Sequence, residues 1–364
     1  MHGRALYIGA PYRLDGNGSA ADIPRLFERS GRNSGNLLIG HALRSQVDYA
    51  VEPVSPEHLP KSRDYDMVVI AAANFLFSGF DFGAFADLIE TVDLPCLMVG
   101  LGAQAASAGG MPDIKPGTQR FVRAIAARTN GIGVRGAFTA EVLAKLGVKN
   151  AEITGCPSFY LRTPAQIRAA FAARRDATAA VSFNGSRNVI GHSSEPEKMK
   201  AVERRVYQLT MQTDSQFVLQ SEAEEMGVLT TEDAAEMTRL SARIVEALGL
   251  DGTTPEQMRD TLRAKFKIFF DIDAWSQNLR GFAFSAGTRF HGNLIALLSG
   301  VPAHVICHDS RTQELCEFAD IPHSRLADIA DDFTTDDLQR ATNVDRFIRR
   351  QAANYAGYVR FMER

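Results

Sequence analysis

The chain has 364 residues, 45% of them hydrophobic and 23% charged, and its 40 basic and 43 acidic residues give a net charge of −3. That length exceeds one ordinary core and points to two globular domains. The mixed charge lacks the clustered Lys and Arg of a nucleic-acid binder, and no run approaches the about 18–20 apolar residues that cross a membrane.

The amino terminus opens at once on a strand-like stretch, RALYIG (4–9), without the flanks of a signal peptide, so a cytoplasmic protein is expected. A polar, Gly-rich loop follows, then GRNSG leading into a helix that carries Leu37, Leu38, Ile39 and Leu43. A Gly-rich turn before a helix presents backbone N–H groups to an anion, although an ordinary loop and cap also fit. Met67–Ala71 reads as a buried strand ahead of a small-residue loop ending in Asn74, and LPCLMVGLGAQ as another with Gln104 at its rim. GIGVR then brings Arg135 to a strand end before a helix over Phe138–Leu146, and AEITGCPSFYL supplies a short strand and a Gly-Cys-Pro turn. Strands alternating with helices define a Rossmann-like domain over 1–165.

After a bridging helix at 162–178, a second alternation begins. It predicts strands at Val181–Phe183, Phe217–Gln220 and Lys267–Phe270, with helices near 195–211, 232–248 and 255–264. A second Rossmann-like domain therefore spans 166–335. Residues 336–364 form an amphipathic helix whose Phe347, Tyr355, Tyr358 and Phe361 need an apolar surface, either on the body or on a second copy. Asp271 and Asp273 superficially resemble a metal pair, yet Asp273 suits a helix cap, and Trp275 suits the core beside Phe269 and Phe270. Cys96, Cys156, Cys307 and Cys316 are far apart, with no CxxC pair and no His at ligand spacing. They read as structural thiols, and no metal or organic cofactor is expected.

The densest stretch is FAFSAGTRFHGNLIALLSGVPAHVICHD (282–309). It predicts a strand at Phe282–Phe284, a loop with Arg289 and His291, an apolar helix ended by Gly300, and a strand running to His308 and Asp309. In such a βαβ unit the ligand crevice lies beyond the carboxyl ends of the strands, where these four residues gather. Two groups able to carry positive charge beside a helix amino terminus suit a small anion.

With GNLLIGHAL, DYDMVVI, VRGAFTAEVLAKLGV, ITGCPSFYL and TRFHGNLIALLSGVPAHVICHDSRTQELCEF in this order, residues 31–325 resemble the polysaccharide pyruvyltransferase family. Three positions depart from the family pattern: Gly35-Asn36 for a Gly-Asp pair, Ala71–Asn74 for a glycine run, and Cys156 for an Asp. The resemblance implies two α/β domains facing across a cleft, as in B-type glycosyltransferases. It also implies transfer of a pyruvyl group from phosphoenolpyruvate to two hydroxyls of a glycan or glycolipid acceptor, forming a cyclic ketal, with peripheral membrane contact left open.

A donor bearing carboxylate and phosphate calls for arginine forks, and Arg289 and Arg135 are the candidates. A salt bridge is the rival reading for each. His291 could donate a proton, bind phosphate as imidazolium, or cap the helix. His308, Asp309 and Arg311 could complete the donor pocket, Asp309 otherwise serving as a helix cap. Asn33, Asn36 and Asn74 could bind sugar or donor, the first two otherwise shaping their turn. Other readings of the same residues are a nucleotide-sugar glycosyltransferase or a non-catalytic binding protein on this fold.

Overall fold

The computed structural model describes residues 3–16, 18–55, 64–104, 110–174, 179–193 and 195–364. The first sheet contains β1 (Arg4–Gly9), β2 (Ala50–Pro53), β3 (Met67–Ala71), β4 (Asn74–Leu76), β5 (Cys96–Ala103), β6 (Ile132–Val134) and β7 (Ala151–Ile153). Its order is β2-β1-β3-β5-β6-β7, with β4 added beside β5. The second contains β8 (Val181–Asn184), β9 (Ser215–Leu219), β10 (Phe266–Ile268), β11 (Phe284–Gly287), β12 (Ala303–Cys307) and β13 (His323–Arg325), in the order β10-β9-β8-β11-β12-β13. Every pairing is parallel. Helices cover both faces, which is why central strands such as MVVIA read as continuous apolar runs rather than alternations. The protein is thus α/β, with two doubly wound units.

Both orders reverse direction once, between β1 and β3 in the first sheet and between β8 and β11 in the second. At the second reversal Gly287 pairs with Asn184 in register. Its φ is 145°, and a Cβ there would stand 1.8 Å from the Asn184 carbonyl oxygen. Only glycine allows the backbones to meet so closely at the rim.

The units share a core. Tyr7 of β1, Leu37 and Leu38 of the helix Asn36–Gln46, and Leu294–Leu298 of the helix Phe290–Leu298 are buried in one apolar cluster. The carboxyl-terminal helix Val344–Met362 returns to the first unit, stacking Tyr358 on Tyr160 at 4.0 Å and hydrogen-bonding Tyr358 Oη to Gln46 Oε1 at 2.6 Å. At its end Arg364 pairs with Glu152 of β7.

Several boundaries differ from the sequence reading. The expected strand at Phe282–Phe284 begins two residues later, because Phe282 N–H closes a turn on Leu279 O at 3.0 Å. The bridging helix spans Pro164–Ala172, started by a reciprocal cap between Thr163 and Gln166, and residues 175–178 of the expected span lie outside the described residues. Asp271, not Asp273, caps its helix, accepting from Ala274 N–H at 2.7 Å, and Asp273 lies 3.7 Å from Arg162. Helices Gly83–Val92, Pro116–Ala126 and Ala223–Thr230 come in addition to those expected. Trp275 is buried and stacks against Phe269. All four cysteines are free and buried.

Candidate active site

Arg289 caps the helix Phe290–Leu298 at the second reversal point, but its guanidinium is not open to solvent. Nε donates to Gly185 O at 2.8 Å, while Nη2 donates to Asn188 Oδ1 and Glu222 Oε1 at 2.8 and 2.7 Å and also reaches Ser221 Oγ. Glu222 is fully buried, and its second oxygen accepts from the N–H groups of Gln220 and Ser221 at 2.8 and 3.0 Å. Burial works to raise the Glu222 pKa, yet the Arg289 charge and these bonds hold it below the usual carboxylate value. Beneath lies a second buried carboxyl, Glu203, whose Oε1 accepts from Ser186 N–H at 2.9 Å and Thr288 Oγ at 2.5 Å. Burial above all, then the Glu222 charge, raises its pKa to about 7 against the pull of Thr288, Ser186 and Arg289. Asn184 and Asn293 complete the layer by exchanging side-chain hydrogen bonds at 3.1 Å.

His291 stands where the two units meet. A Cβ on Gly35 would lie 3.3 Å from His291 Cβ and 2.5 Å from Gln220 Oε1, and Ser34 N–H donates to Gln220 O at 2.9 Å. Across the same seam His291 Nε2 is 3.9 Å from Cys156 Sγ. Desolvation first, and then the positive charges of Arg135 and Arg289, push the His291 pKa down to about 3, so the imidazole is neutral at physiological pH. Of the three roles open to it in sequence, a resting imidazolium does not fit this environment.

Arg135 follows β6 and donates from Nε to Gly100 O at 2.9 Å, whereas its buried Nη2 has no hydrogen-bond partner among the described residues. Burial lowers its pKa, Cys156 and Glu314 oppose, and Arg311 adds to the lowering. A Cβ on Gly102 would stand 3.0 Å from both Arg135 Cδ and Asn74 Oδ1, which places Asn74 beside the guanidinium. Asn74 Nδ2 donates to Gln104 Oε1 at 2.8 Å, and the same oxygen accepts from Arg311 Nη1 at 2.6 Å. Gln104 therefore ties the first unit to the second. Asp309 both caps the following helix, accepting from Thr312 N–H at 2.8 Å, and binds Arg311 Nε at 2.9 Å. Its pKa is lowered by the His308 and Arg311 charges in spite of burial. Burial pushes the His308 pKa down, and its Nδ1 has no partner among the described residues.

The structure thus brings Arg135, Asn74, Arg289, His291, His308, Asp309 and Arg311 to the facing rims, and places the Asn33–Asn36 turn opposite His291. Asn33 and Asn36 hold that turn, the former accepting from Gly35 N–H at 3.0 Å and the latter donating to Ser30 O at 3.2 Å. A cavity of about 910 Å³ lies elsewhere, lined among others by Tyr12, His41, Arg44, Phe270 and Asp271. The charged seam marks the site better than that cavity, because a buried guanidinium nitrogen without a partner, such as Arg135 Nη2, needs a chemical reason and an open groove does not. Among the described residues no group of three or more His, Cys, Asp or Glu side chains gathers as a metal set, and no helix is long and apolar enough to cross a membrane. Sequence reasoning missed Glu203, Gln220 and Glu222, which lie outside the quoted motifs and, from the helix Pro196–Gln212 and the turn after β9, meet partners distant in sequence.

Fold and site define a two-unit α/β protein with arginine-rich facing rims braced by buried carboxylates. The chain belongs to the polysaccharide pyruvyl transferase family, whose model matches residues 33–310. By family it is a transferase acting on polysaccharides. No curated protein sequence matches the chain. Among solved structures it is similar to the protein KP1_0663 from Klebsiella pneumoniae, at 11% identity over 89% of this chain and 92% of that one, with a TM-score of 0.44. It is also similar to the S. aureus MnaA–UDP co-structure, at 10% identity over 97% and 92% with a TM-score of 0.45. A third is the glycosyltransferase SnogD from Streptomyces nogalater, at 12% identity over 100% and 95% with a TM-score of 0.36.

Proposed function

We propose that the chain transfers the pyruvyl group of phosphoenolpyruvate to two hydroxyls of a sugar in a polysaccharide or its lipid-linked precursor, releasing phosphate and leaving a cyclic ketal. The observation that carries this reading is Arg135, a half-buried arginine whose buried Nη2 is unpartnered among the described residues, beside a neutral imidazole. A buried cation with an open donor is costly until an anion completes it. Arg135 and Arg311 would take the donor's carboxylate and phosphate, with Asn74 and His308 as neutral contacts and Asp309 holding the Arg311 fork. Arg289, neutralised by Glu222, would shape the rim and carry His291. The Asn33–Asn36 turn would face the acceptor.

In the reaction a proton adds to the methylene carbon, one sugar hydroxyl bonds to C2 and loses its proton, the C2–O bond to phosphate breaks, and the second hydroxyl closes the ring and loses its proton, so that of the two hydroxyl protons one balances that on carbon and the other leaves with phosphate. His291 enters neutral, so in the resting site it can accept a hydroxyl proton. The donor's negative charge would offset the two guanidiniums that depress its pKa and let the imidazolium form during turnover. A nucleotide-sugar donor fits less well, since ribose needs a carboxylate acceptor and the nearby ones are engaged: Glu222 by Arg289, Asp309 by Arg311, and Glu314 by Phe138 N–H.

The test is phosphate release from phosphoenolpyruvate with galactosyl, mannosyl and glucosyl acceptors, with the ketal identified by mass. Ketal formation that is lost in Arg135→Met and His291→Ala is expected. Hydrolysis of a nucleotide sugar without ketal on any acceptor would refute the reading.

A further inference from the structure

Gln220 follows β9 at the seam, 1% exposed, and its side-chain Nε2 has no hydrogen-bond partner among the described residues. Its backbone is fully engaged, with N–H on Glu222 Oε2 and C=O accepting from Ser34 N–H. The side chain is therefore not needed to hold the loop. Ser34, directly opposite, is also fully buried, and its Oγ is likewise unpartnered. Each unit thus contributes one buried polar side-chain group without a partner among the described residues, at the point where the two backbones meet.

The surrounding backbone has been kept clear for this carboxamide. A Cβ on Gly35 would come within 2.5 Å of Gln220 Oε1, and one on Gly292 within 2.7 Å of Gln220 Nε2. Gly35 also borders His291 Cβ, so the amide sits beside the imidazole that Arg135 and Arg289 face. Buried amides are nearly always hydrogen-bonded, and an exception calls for a partner such as water, an ion or a ligand.

We propose that the Gln220 carboxamide, with the Ser34 hydroxyl beside it, forms a neutral recognition site for an acidic oxygen of a small enol phosphate, seated between Gly35 and Gly292. This rests on the pyruvyl-donor reading and adds to it two binding residues. Neutral donors suit this position. Cations already line the rim, and another positive charge would depress the imidazole further, whereas an amide binds the anion and leaves the charge on His291 unchanged.

The experiment compares wild type with Gln220→Met, which keeps the side-chain length, and with Ser34→Ala. Thermal melting of each is followed without ligand, and phosphoenolpyruvate binding is measured by calorimetry. Neither side-chain group has a partner among the described residues, so both variants are expected to melt at or above the wild-type temperature while each binds phosphoenolpyruvate about ten- to hundred-fold more weakly, the loss expected for one hydrogen bond to a charged oxygen. A Gln220→Met protein that melts lower shows that the amide has a structural partner and overturns the proposal. Unchanged affinity in both variants also overturns it while leaving the pyruvyl-donor reading intact. Wild type that binds no phosphoenolpyruvate overturns the donor reading itself, and the recognition role with it.

Discussion

Replacing Glu203 with glutamine probes the buried charge layer under Arg289. In the folded chain the Glu203 pKa lies near 7, against a reference value of 4.5. Folding therefore takes up a proton between those values, so the stabilising contribution is full below about pH 4.5 and is lost as pH rises through about 7. At 1.36 kcal/mol for each pKa unit, the loss across that window is about 3 kcal/mol. Glutamine is a neutral isostere of the protonated side chain. It keeps an oxygen for Ser186 N–H and Thr288 Oγ, and puts its amide where Glu203 Oε2 has no partner among the described residues. An unpartnered buried amide adds a cost that does not vary with pH, so the expected outcome is that the variant gains about 2.5 kcal/mol on wild type between pH 5 and pH 8. In melting temperature that difference is about 3–4 °C for a chain of this length. Melts of both proteins at half-unit pH steps from 5 to 8 read this directly. A gap that stays constant across the series refutes the assignment of a carboxyl whose pKa is raised by burial.

Three further outcomes follow from the same geometry. Arg289→Met strands the fully buried Glu222 carboxylate and should cost about 3–5 kcal/mol in denaturant unfolding, with part of that loss recovered when Glu222→Gln is added. Activity lost in Arg289 variants must therefore be compared with that double variant before it is assigned to chemistry. Arg135→Met removes a cation acting on His291, so the imidazole pKa should rise from about 3, as followed by its NMR titration, while phosphoenolpyruvate affinity falls at least about tenfold. Below about pH 4.5 wild type should lose the stabilisation held by Glu222, whose folded pKa is depressed, and Glu222→Gln should flatten that part of the stability curve.

Much of the scaffold was legible because strand and helix periods are local. The alternation through 4–162, the second alternation, and the βαβ unit around Arg289 all follow from apolar spacing and glycine punctuation. The helix Pro116–Ala126 carried readable signals, a proline at its first turn and Phe121, Val122 and Ile125 on one face, that the sequence reading passed over. The site was legible only as far as residues sharing a stretch. Arg289 and His291 announce themselves by spacing, but Glu222 meets Arg289 across 67 positions and Glu203 meets Thr288 across 85. Nothing in a linear pattern marks such partners. The rival reading of Arg289 as a salt bridge and of Asp309 as a cap both describe real contacts, and each residue still stands at the rim. In a buried site, structural and chemical duties fall on the same side chains.

The returning helix Val344–Met362 gives the molecule a second tether. The chain crosses between units once between β7 and β8 and once through this helix, whose Phe361 lies within van der Waals reach of Gly131 and Gly133. A body joined at one point can swivel freely. Joined at two, it keeps one easy motion, rocking about the line through both crossings. Rocking of that kind would open and shut the Gln104 bridge and the Ser34–Gln220 contact together, so the rims would part as a hinge parts rather than slide past each other.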